Sequence, residues 1–98
     1  MAKRENMQSL QDVLGDFFAE NPALKESILE IRIIRGWNEL LGMNVSLYTQ
    51  NIYMKNRILH VSLSSAVLRN DLLLRKASLI EELNAFAREE ILEDIVLF

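Results

Sequence analysis

The chain has 98 residues, a formal net charge of −3 and a sequence pI of about 5.1. This length predicts a single domain over 1–98, with its core at about 22–97. The acidic balance argues against a surface coated in positive charge for nonspecific nucleic-acid binding. The absence of cysteine excludes disulfides and thiolate metal sites. No stretch is typical of a signal peptide or a membrane span, so we expect a soluble, cytoplasmic protein without membrane contact.

The first half of the chain is predicted to be helical. Apolar residues recur at three- and four-residue spacing in a first helix over about 7–20. Asn21 and Pro22 then end this helix and start a second one, with Asn21 as its N-cap and Pro22 at the first helical position. The second helix is expected to run to about Leu41, since Gly42 is a natural C-terminal stop.

Two features of the second helix concern its packing. Its apolar side changes near Glu30, which indicates either a bend or a helix that is packed on two sides. Trp37 lies in apolar company, so we predict a core tryptophan rather than an exposed platform on which a base stacks.

The middle of the chain carries the strongest strand signal. Alternating side chains predict a strand over 45–54, interrupted by a bulge at Gln50-Asn51. Lys55-Asn56-Arg57 is the predicted turn, because asparagine tolerates the positive φ that a tight hairpin requires. In the returning strand, one set of side chains should face the core and the alternate set should face outward. The inward set is Leu59, Val61 and Leu63, and the outward set is Ile58, His60 and Ser62.

The last third of the chain predicts one long helix and a closing strand. Ser64-Ser65 supplies an N-cap for a helix over 66–87. Asp71 and Arg75 lie four residues apart on this helix and can form an ion pair. A short strand over 91–98 would close the sheet. The order α-α-β-β-α-β predicts an α+β fold in which helices cover a three-stranded sheet.

Side chains suited to catalysis are sparse. His60 is the one histidine of the chain, and no serine or carboxylate is fixed beside it by sequence spacing. Capping explains Ser64-Ser65 without a nucleophile. The acidic residues late in the chain are expected to form a solvated face, and the three scattered glycines form no phosphate-binding loop. We therefore predict a protein that is not an enzyme, with no catalytic residues, no cofactor and no metal.

Basic residues suggest a binding surface at two places. Two of them flank the predicted hairpin turn, and three others lie along the third helix. If these groups converge, they form a patch for phosphates or for an acidic protein partner; if they do not, they are solvated side chains that bind nothing. The candidate contact residues are Lys55, Asn56, Arg57, Arg69, Arg75 and Lys76.

Several sequence blocks, taken in order, carry a resemblance to a known family. They are IRGWNELLG over 34–42, YT and IYMKNRILHV within 48–61, SSAVLRNDL over 64–72, LIEELN over 79–84, and the closing Ile95-Val96. Together they resemble the DciA-like family, long catalogued as a domain of unknown function. The resemblance spans about Leu24 to Leu97, and the chain looks like a short, single-domain member.

The resemblance implies a KH-like fold of order αα-ββ-α-β. It also implies a role similar to that of a bacterial replication factor that associates with the replicative helicase and with DNA, while other members are described as RNA-binding. A KH domain grips the nucleic-acid backbone through a GxxG loop, and this sequence contains no GxxG. The family often has glycine in the hairpin turn and near the end of the last helix, where this chain has Arg57 and the segment 88–90.

Two hypotheses about function follow. The first is a non-enzymatic, nucleic-acid-associated adaptor module that works with the replicative helicase and with DNA or RNA. The second is a protein–protein interaction or homodimerisation module that binds no nucleic acid. It would use apolar positions that the core does not need, namely Val67, Leu74, Tyr53 and Ile58.

Overall fold

The fold is a three-stranded sheet with helices packed on one of its faces. The computed structural model describes residues 17 and 19–98, so most of the predicted first helix over 7–20 lies outside them; Phe17, Ala19 and Glu20 are helical. The α+β prediction is confirmed. The elements are α1 (Pro22–Tyr48), β1 (Thr49–Lys55), β2 (Ile58–Leu63), α2 (Ala66–Leu74), α3 (Lys76–Ala87) and β3 (Asp94–Leu97).

Helix α1 begins as predicted but ends later. Pro22 occupies its first turn, whereas the Asn21 side chain makes no cap to α1 and instead donates from Nδ2 to the Phe17 carbonyl at 2.8 Å. At Gly42 the backbone leaves helical geometry (φ 81°, ψ −178°), and the helix then resumes to Tyr48. The predicted stop at Gly42 is therefore a kink, and the prediction of strand over residues 45–48 is wrong.

Local hydrogen bonds explain why the chain returns to helix after Gly42. The Thr49 hydroxyl donates to the Val45 carbonyl at 2.8 Å, and the Trp37 indole Nε1 donates to the Thr49 hydroxyl oxygen at 3.2 Å. Val45 and Trp37 are both buried. The helical turn thus brings Val45 back onto the core, and Trp37 is confirmed as a core residue.

The buried stripe of α1 is continuous. Leu29, Ile33 and Trp37 are buried at four-residue spacing, while Ile31 is exposed. The apparent change of apolar side near Glu30 comes from exposed apolar residues such as Ile31, and the bend of this helix lies at Gly42 instead.

The hairpin matches the prediction from Thr49 onward, except that Lys55 belongs to β1, where it pairs with Ile58, and the turn has two residues. The pairing of β1 with β2 is antiparallel, and its register shifts between Thr49 and Asn51, which confirms the bulge. The turn residues Asn56 (φ 53°) and Arg57 (φ 65°) both adopt positive φ, as a two-residue type I′ turn requires. The inward residues of β2, Leu59, Val61 and Leu63, are buried, and the alternate residues are partly exposed.

The predicted helix over 66–87 is interrupted at Arg75. The Ser65 hydroxyl caps α2 by accepting from the Leu68 N–H at 3.2 Å, as expected. Arg75 then adopts φ −106° and ψ 15°; its N–H donates to the Leu72 carbonyl, and its own carbonyl accepts from the Leu79 N–H. One residue thus ends α2 and starts α3, which makes the prediction of a single helix wrong.

Strand β3 closes the sheet in parallel with β2, so the sheet is mixed, in the order β1-β2-β3. It covers Asp94–Leu97 rather than all of 91–98. Before it, Arg88 ends α3 in the left-handed region (φ 63°). Asn84 fastens the connecting segment by accepting from the Leu92 N–H at 2.8 Å and donating to the Leu92 carbonyl at 3.0 Å.

The core lies between the sheet and the helices. The strands supply Leu59, Val61, Leu63 and Ile95, and Leu72 and Leu83 come from α2 and α3. On the opposite face of the sheet, Tyr53 and His60 lie side by side in register, and Val96 follows His60 on β3. Within the described residues, no helix packs on that outer face.

Candidate nucleic-acid and partner interface

The hairpin turn presents the first group of predicted contact residues. Lys55 and Asn56 are exposed, and the Lys55 side chain has no ion-pair or hydrogen-bond partner among the described residues. The positive φ of Asn56 and Arg57 turns the chain sharply, so Lys55 stands at the end of the sheet. Lys55 is therefore a cation whose charge is available to a ligand.

Arg57 is engaged with its own protein. Its guanidinium donates from Nε to the Ile91 carbonyl at 3.1 Å and from Nη2 to the Glu90 carbonyl at 2.7 Å, and it lies 3.3 Å from the Glu93 carboxylate. The Arg57 carbonyl in turn accepts from the Glu93 N–H at 2.9 Å. Arg57 thus ties the hairpin turn to the segment between α3 and β3, with about half of its side chain still exposed.

Lys76 lies at the same end of the sheet as the turn. Its Nζ is 2.7 Å from Asp94 Oδ1, and Asp94 is the register partner of Ile58 at the start of β2. The hydrogen bond from Lys76, helped by the Ile95 N–H, lowers the pKa of the Asp94 carboxyl below its ordinary value. The structure therefore brings Lys76 close to the hairpin turn, with its charge paired.

Arg69 lies apart from the turn, at the other end of β2. Arg69 donates from Nη1 to the carbonyl of Leu63, which is the last residue of β2. Because β2 has six residues, this is about 17 Å along the strand from the turn. Arg75 sits at the junction of α2 and α3 and pairs with Asp71 at 3.2 Å, as the sequence predicted. Arg69 is thus remote from the turn, whereas Arg75 directly precedes Lys76 in the chain and has its charge paired.

The side chains considered for chemistry have structural roles. His60 stacks on Tyr53 with ring centroids 4.8 Å apart and planes 4° from parallel. The Ser65 hydroxyl caps α2. In the part of the chain that the structure describes, no three histidine, aspartate or glutamate side chains gather where they could hold a metal ion, and no helix is long and apolar enough to cross a membrane.

Sequence analysis missed a second surface at the far end of β2. Met43 and Leu47 project from the short helical stretch after Gly42, and both are largely exposed. The sequence pattern assigned Leu47 to a strand, where exposure of one apolar side chain in two is ordinary, and assigned Met43 to no element. The available signal was the complete lack of charged residues over 40–54.

The fold and these surfaces define a small α+β module with a charged hairpin tip at one end of its central strand and an uncharged apolar surface at the other. A family model described as "Dna[CI] antecedent, DciA" matches residues 9–97. The chain therefore belongs to the DciA family, a non-catalytic family associated with helicase loading in DNA replication, and the resemblance seen in the sequence is confirmed. No curated protein and no solved structure matches the chain.

Proposed function

We propose that this chain is a replication adaptor that binds the replicative helicase and contacts DNA through its hairpin tip. The observation that carries the proposal is the family match over 9–97, which includes every described element of the fold. An adaptor needs surfaces rather than a reaction centre, which agrees with the structural roles of His60 and Ser65.

The charges at the hairpin tip support contact with phosphates. Lys55 is exposed and has no partner in the part of the chain that the structure describes, and the neighbouring Arg57 and Lys76 are held in partly exposed ion pairs. Such surface pairs contribute only about 0–1 kcal/mol, so a phosphate can replace the carboxylate partner at small cost. Without a GxxG loop, side-chain cations rather than backbone N–H groups would hold the phosphates. Arg69, at the far end of β2, is too far from the tip to join the same contact.

A fluorescence-anisotropy titration with single-stranded DNA, duplex DNA and RNA, each at two salt concentrations, tests the nucleic-acid part. We expect salt-sensitive binding that weakens about tenfold in Lys55→Glu, with a smaller salt slope because one phosphate contact is lost. The matched control is Arg35→Glu, an equal charge reversal at an exposed α1 residue that pairs with Glu39. Absence of binding at tens of micromolar, or an equal loss in both variants, would contradict contact through the tip.

The second candidate function, a protein-interaction or homodimerisation module without nucleic acid, is favoured by exposed apolar residues. Val67 and Leu74 on α2 are more than four-fifths exposed, and Tyr53 is exposed on the outer sheet face, where Ile58 is only partly buried. A concentration-dependent dimer in sedimentation velocity, together with no anisotropy change, would support this candidate against the first.

A further inference from the structure

Aromatic side chains lie on the outer face of the sheet, on which no helix packs within the described residues. Tyr53 on β1 and His60 on β2 are register partners, and their rings stack with centroids 4.8 Å apart. Tyr53 is 40% exposed, Val96 on β3 is 39% exposed, and Phe98, directly after β3, is 50% exposed. Large apolar and aromatic side chains gathered on one face of a small domain are typical of a surface that binds a ligand.

One face of the Tyr53 ring is open toward the edge of the described sheet. The centroid separation equals the spacing of neighbouring strands, about 4.8 Å, so the two rings project from the sheet side by side, with their planes 4° from parallel. His60 therefore covers one face of the Tyr53 ring. Because β1 is an outer strand of the described sheet, no other strand lies beside the second face. A flat aromatic group can continue the stack there, on a ring that His60 already holds in place.

Two polar residues flank Tyr53 on the outward side of β1. Asn51, Tyr53 and Lys55 alternate with the inward-facing residues of the strand, and all three are exposed. Alternate residues of a strand lie about 7 Å apart, which is close enough for one ligand to contact all three. The Asn51 amide can both donate to and accept from the edge of a base, and the Lys55 ammonium can bind a phosphate. The row therefore combines a hydrogen-bonding group, a stacking surface and a cation.

The charge of the outer sheet face favours an anionic ligand. The sequence places two charged residues in the three strands, Lys55 and Asp94. Asp94 is paired with Lys76 at 2.7 Å, whereas Lys55 has no partner among residues 17 and 19–98. The described strands thus offer one unpaired charge, which is positive, and no unpaired carboxylate that would repel a phosphate. A chain of phosphates that carries flat, apolar rings matches both the charge and the aromatic surface.

We infer that the outer sheet face binds the bases of single-stranded DNA, with one base stacked on Tyr53, its edge bonded to Asn51 and a neighbouring phosphate on Lys55. This inference rests on the proposed function, and it extends the DNA contact from the hairpin tip along β1. In a duplex the faces of the bases are already stacked on one another, so Tyr53 can reach only an unpaired base. Stacking depends little on which base is present, so we expect a preference for single strands without a strong sequence preference.

Fluorescence-anisotropy titration of the full chain with three DNA probes of equal length tests the inference. The probes are an ordinary single strand, a single strand of abasic sugars, and a duplex. We expect Tyr53→Ala to weaken binding of the ordinary single strand at least about fivefold, because one base loses its stacking surface. The same variant should bind the abasic strand and the duplex within about twofold of the wild type, since the phosphate contacts are unchanged. Tyr53→Phe, which keeps the ring, should bind all three probes as the wild type does.

Salt dependence separates stacking from phosphate contact. Tyr53→Ala should keep the wild-type salt slope, since stacking releases no counterions, whereas Lys55→Glu should lower the slope and weaken binding of all three probes.

The matched control is Tyr48→Ala, which removes a similarly exposed tyrosine (48%) at the end of α1, outside the outer sheet face. We expect this control to bind every probe as the wild type does. Tyr53→Leu keeps an apolar side chain in the strand without a ring, and it should lose affinity as Tyr53→Ala does. The circular dichroism of all variants should be unchanged, since every substituted side chain is exposed. An equal loss in Tyr48→Ala and Tyr53→Ala would overturn the inference.

The remaining outcomes separate the inference from the proposed function. If the wild type binds DNA with a salt-dependent affinity and Tyr53→Ala binds the ordinary single strand equally well, the stacking site is wrong and DNA contact through the hairpin tip stands. If the wild type binds none of the probes, the inference and the DNA contact of the proposed function are both overturned. If Tyr53→Ala keeps its DNA affinity but converts a wild-type dimer to a monomer in sedimentation velocity, the occupant of the outer sheet face is a second copy, and the inference is overturned.

Discussion

The two ends of β2 differ in what their exposed side chains contact. At the hairpin tip, Arg57 and Lys76 bind carbonyls and carboxylates of the same chain, whereas Lys55 has no such partner among residues 17 and 19–98. The other end of β2 lies beside the residues that follow the Gly42 kink of α1, and we call it the kink end; there Met43 and Leu47 are largely exposed to solvent. Charged groups on a surface can be satisfied by neighbours or by water, whereas apolar groups gain free energy only when another surface removes them from water. A protein partner therefore has more to gain at the kink end than at the tip.

The residues that fix the two ends to the rest of the domain differ in burial. The kink end is anchored by Trp37, which is fully buried, and the tip is anchored by Arg57, whose side chain is about half exposed. Buried anchors stabilise through packing as well as through hydrogen bonds, so their loss costs more free energy of unfolding. The comparison predicts an order of effects that substitutions can test.

The largest effect is expected from Trp37→Ala. Removing this buried indole should lower the free energy of unfolding by about 3–5 kcal/mol, because it leaves a cavity and removes the donor to Thr49. Urea denaturation followed by circular dichroism measures the change. Trp37→Phe is the control that keeps most of the packing but not the Nε1 bond, and it should cost clearly less. A loss under about 1 kcal/mol in Trp37→Ala would show that the kink end is not anchored by this side chain.

Gly42→Ala should come next, at about 1–3 kcal/mol. The cause is the backbone conformation (φ 81°, ψ −178°), which is open essentially to glycine alone; space is not the cause, since a Cβ would meet nothing within 4 Å. D-Alanine introduced at Gly42 by chemical ligation is the matched control. Its mirror-image preference suits this conformation, so it should be at least as stable as the wild type. Equal destabilisation by L- and D-alanine would refute the conformational explanation.

At the tip, Arg57→Ala should cost only about 1 kcal/mol, because the lost bonds to the Glu90 and Ile91 carbonyls are partly exposed. Arg57→Gly loses the same bonds but relieves the positive φ of 65°, so it should be more stable than the alanine variant. Thermal unfolding of the two variants side by side measures the difference, and identical melting temperatures would show that the backbone conformation contributes nothing.

The smallest effect is expected from Lys76→Met. Because Lys76 lowers the pKa of Asp94, the Asp94 pKa should rise toward its ordinary value in the variant, as followed by carbon-13 NMR of the carboxyl group. The native pKa is depressed, so the pairing stabilises the fold above the pKa of an unfolded aspartate, about 3.9, and this stabilisation is lost as the pH falls through the native value. An unchanged Asp94 pKa would show that its N–H bond from Ile95 is the main cause.

The parts of the fold that depend on local patterns could be predicted from the sequence. The bulge before Asn51, the positive φ of Asn56, the Ser65 cap and the buried face of β2 each follow from residues close together in the chain. The alternating pattern over 45–48 predicted a strand that does not form. Trp37 donates to the Thr49 hydroxyl, which in turn donates to the Val45 carbonyl, and the period of the pattern does not contain this constraint.

Two other features could not be predicted for related reasons. The apolar stripe through Leu72, Leu79 and Leu83 keeps its spacing across Arg75, so the break there leaves no trace in the pattern. At the candidate site, Arg57 pairs with Glu93 and Lys76 pairs with Asp94. These partners meet only because β3 lies parallel to β2, and nothing in the spacing of charges indicates that arrangement.

The strand order also bears on aggregation. Since β2 is central, β1 is an outer strand of the described sheet, and its free edge could pair with the same edge of another molecule. The irregular register between Thr49 and Asn51 breaks that edge near one end, and Lys55 places a charge at the other. Outer strands commonly avoid intermolecular pairing by such means. The extra residue and the lysine are therefore two features of β1 that disfavour amyloid-like growth along this edge.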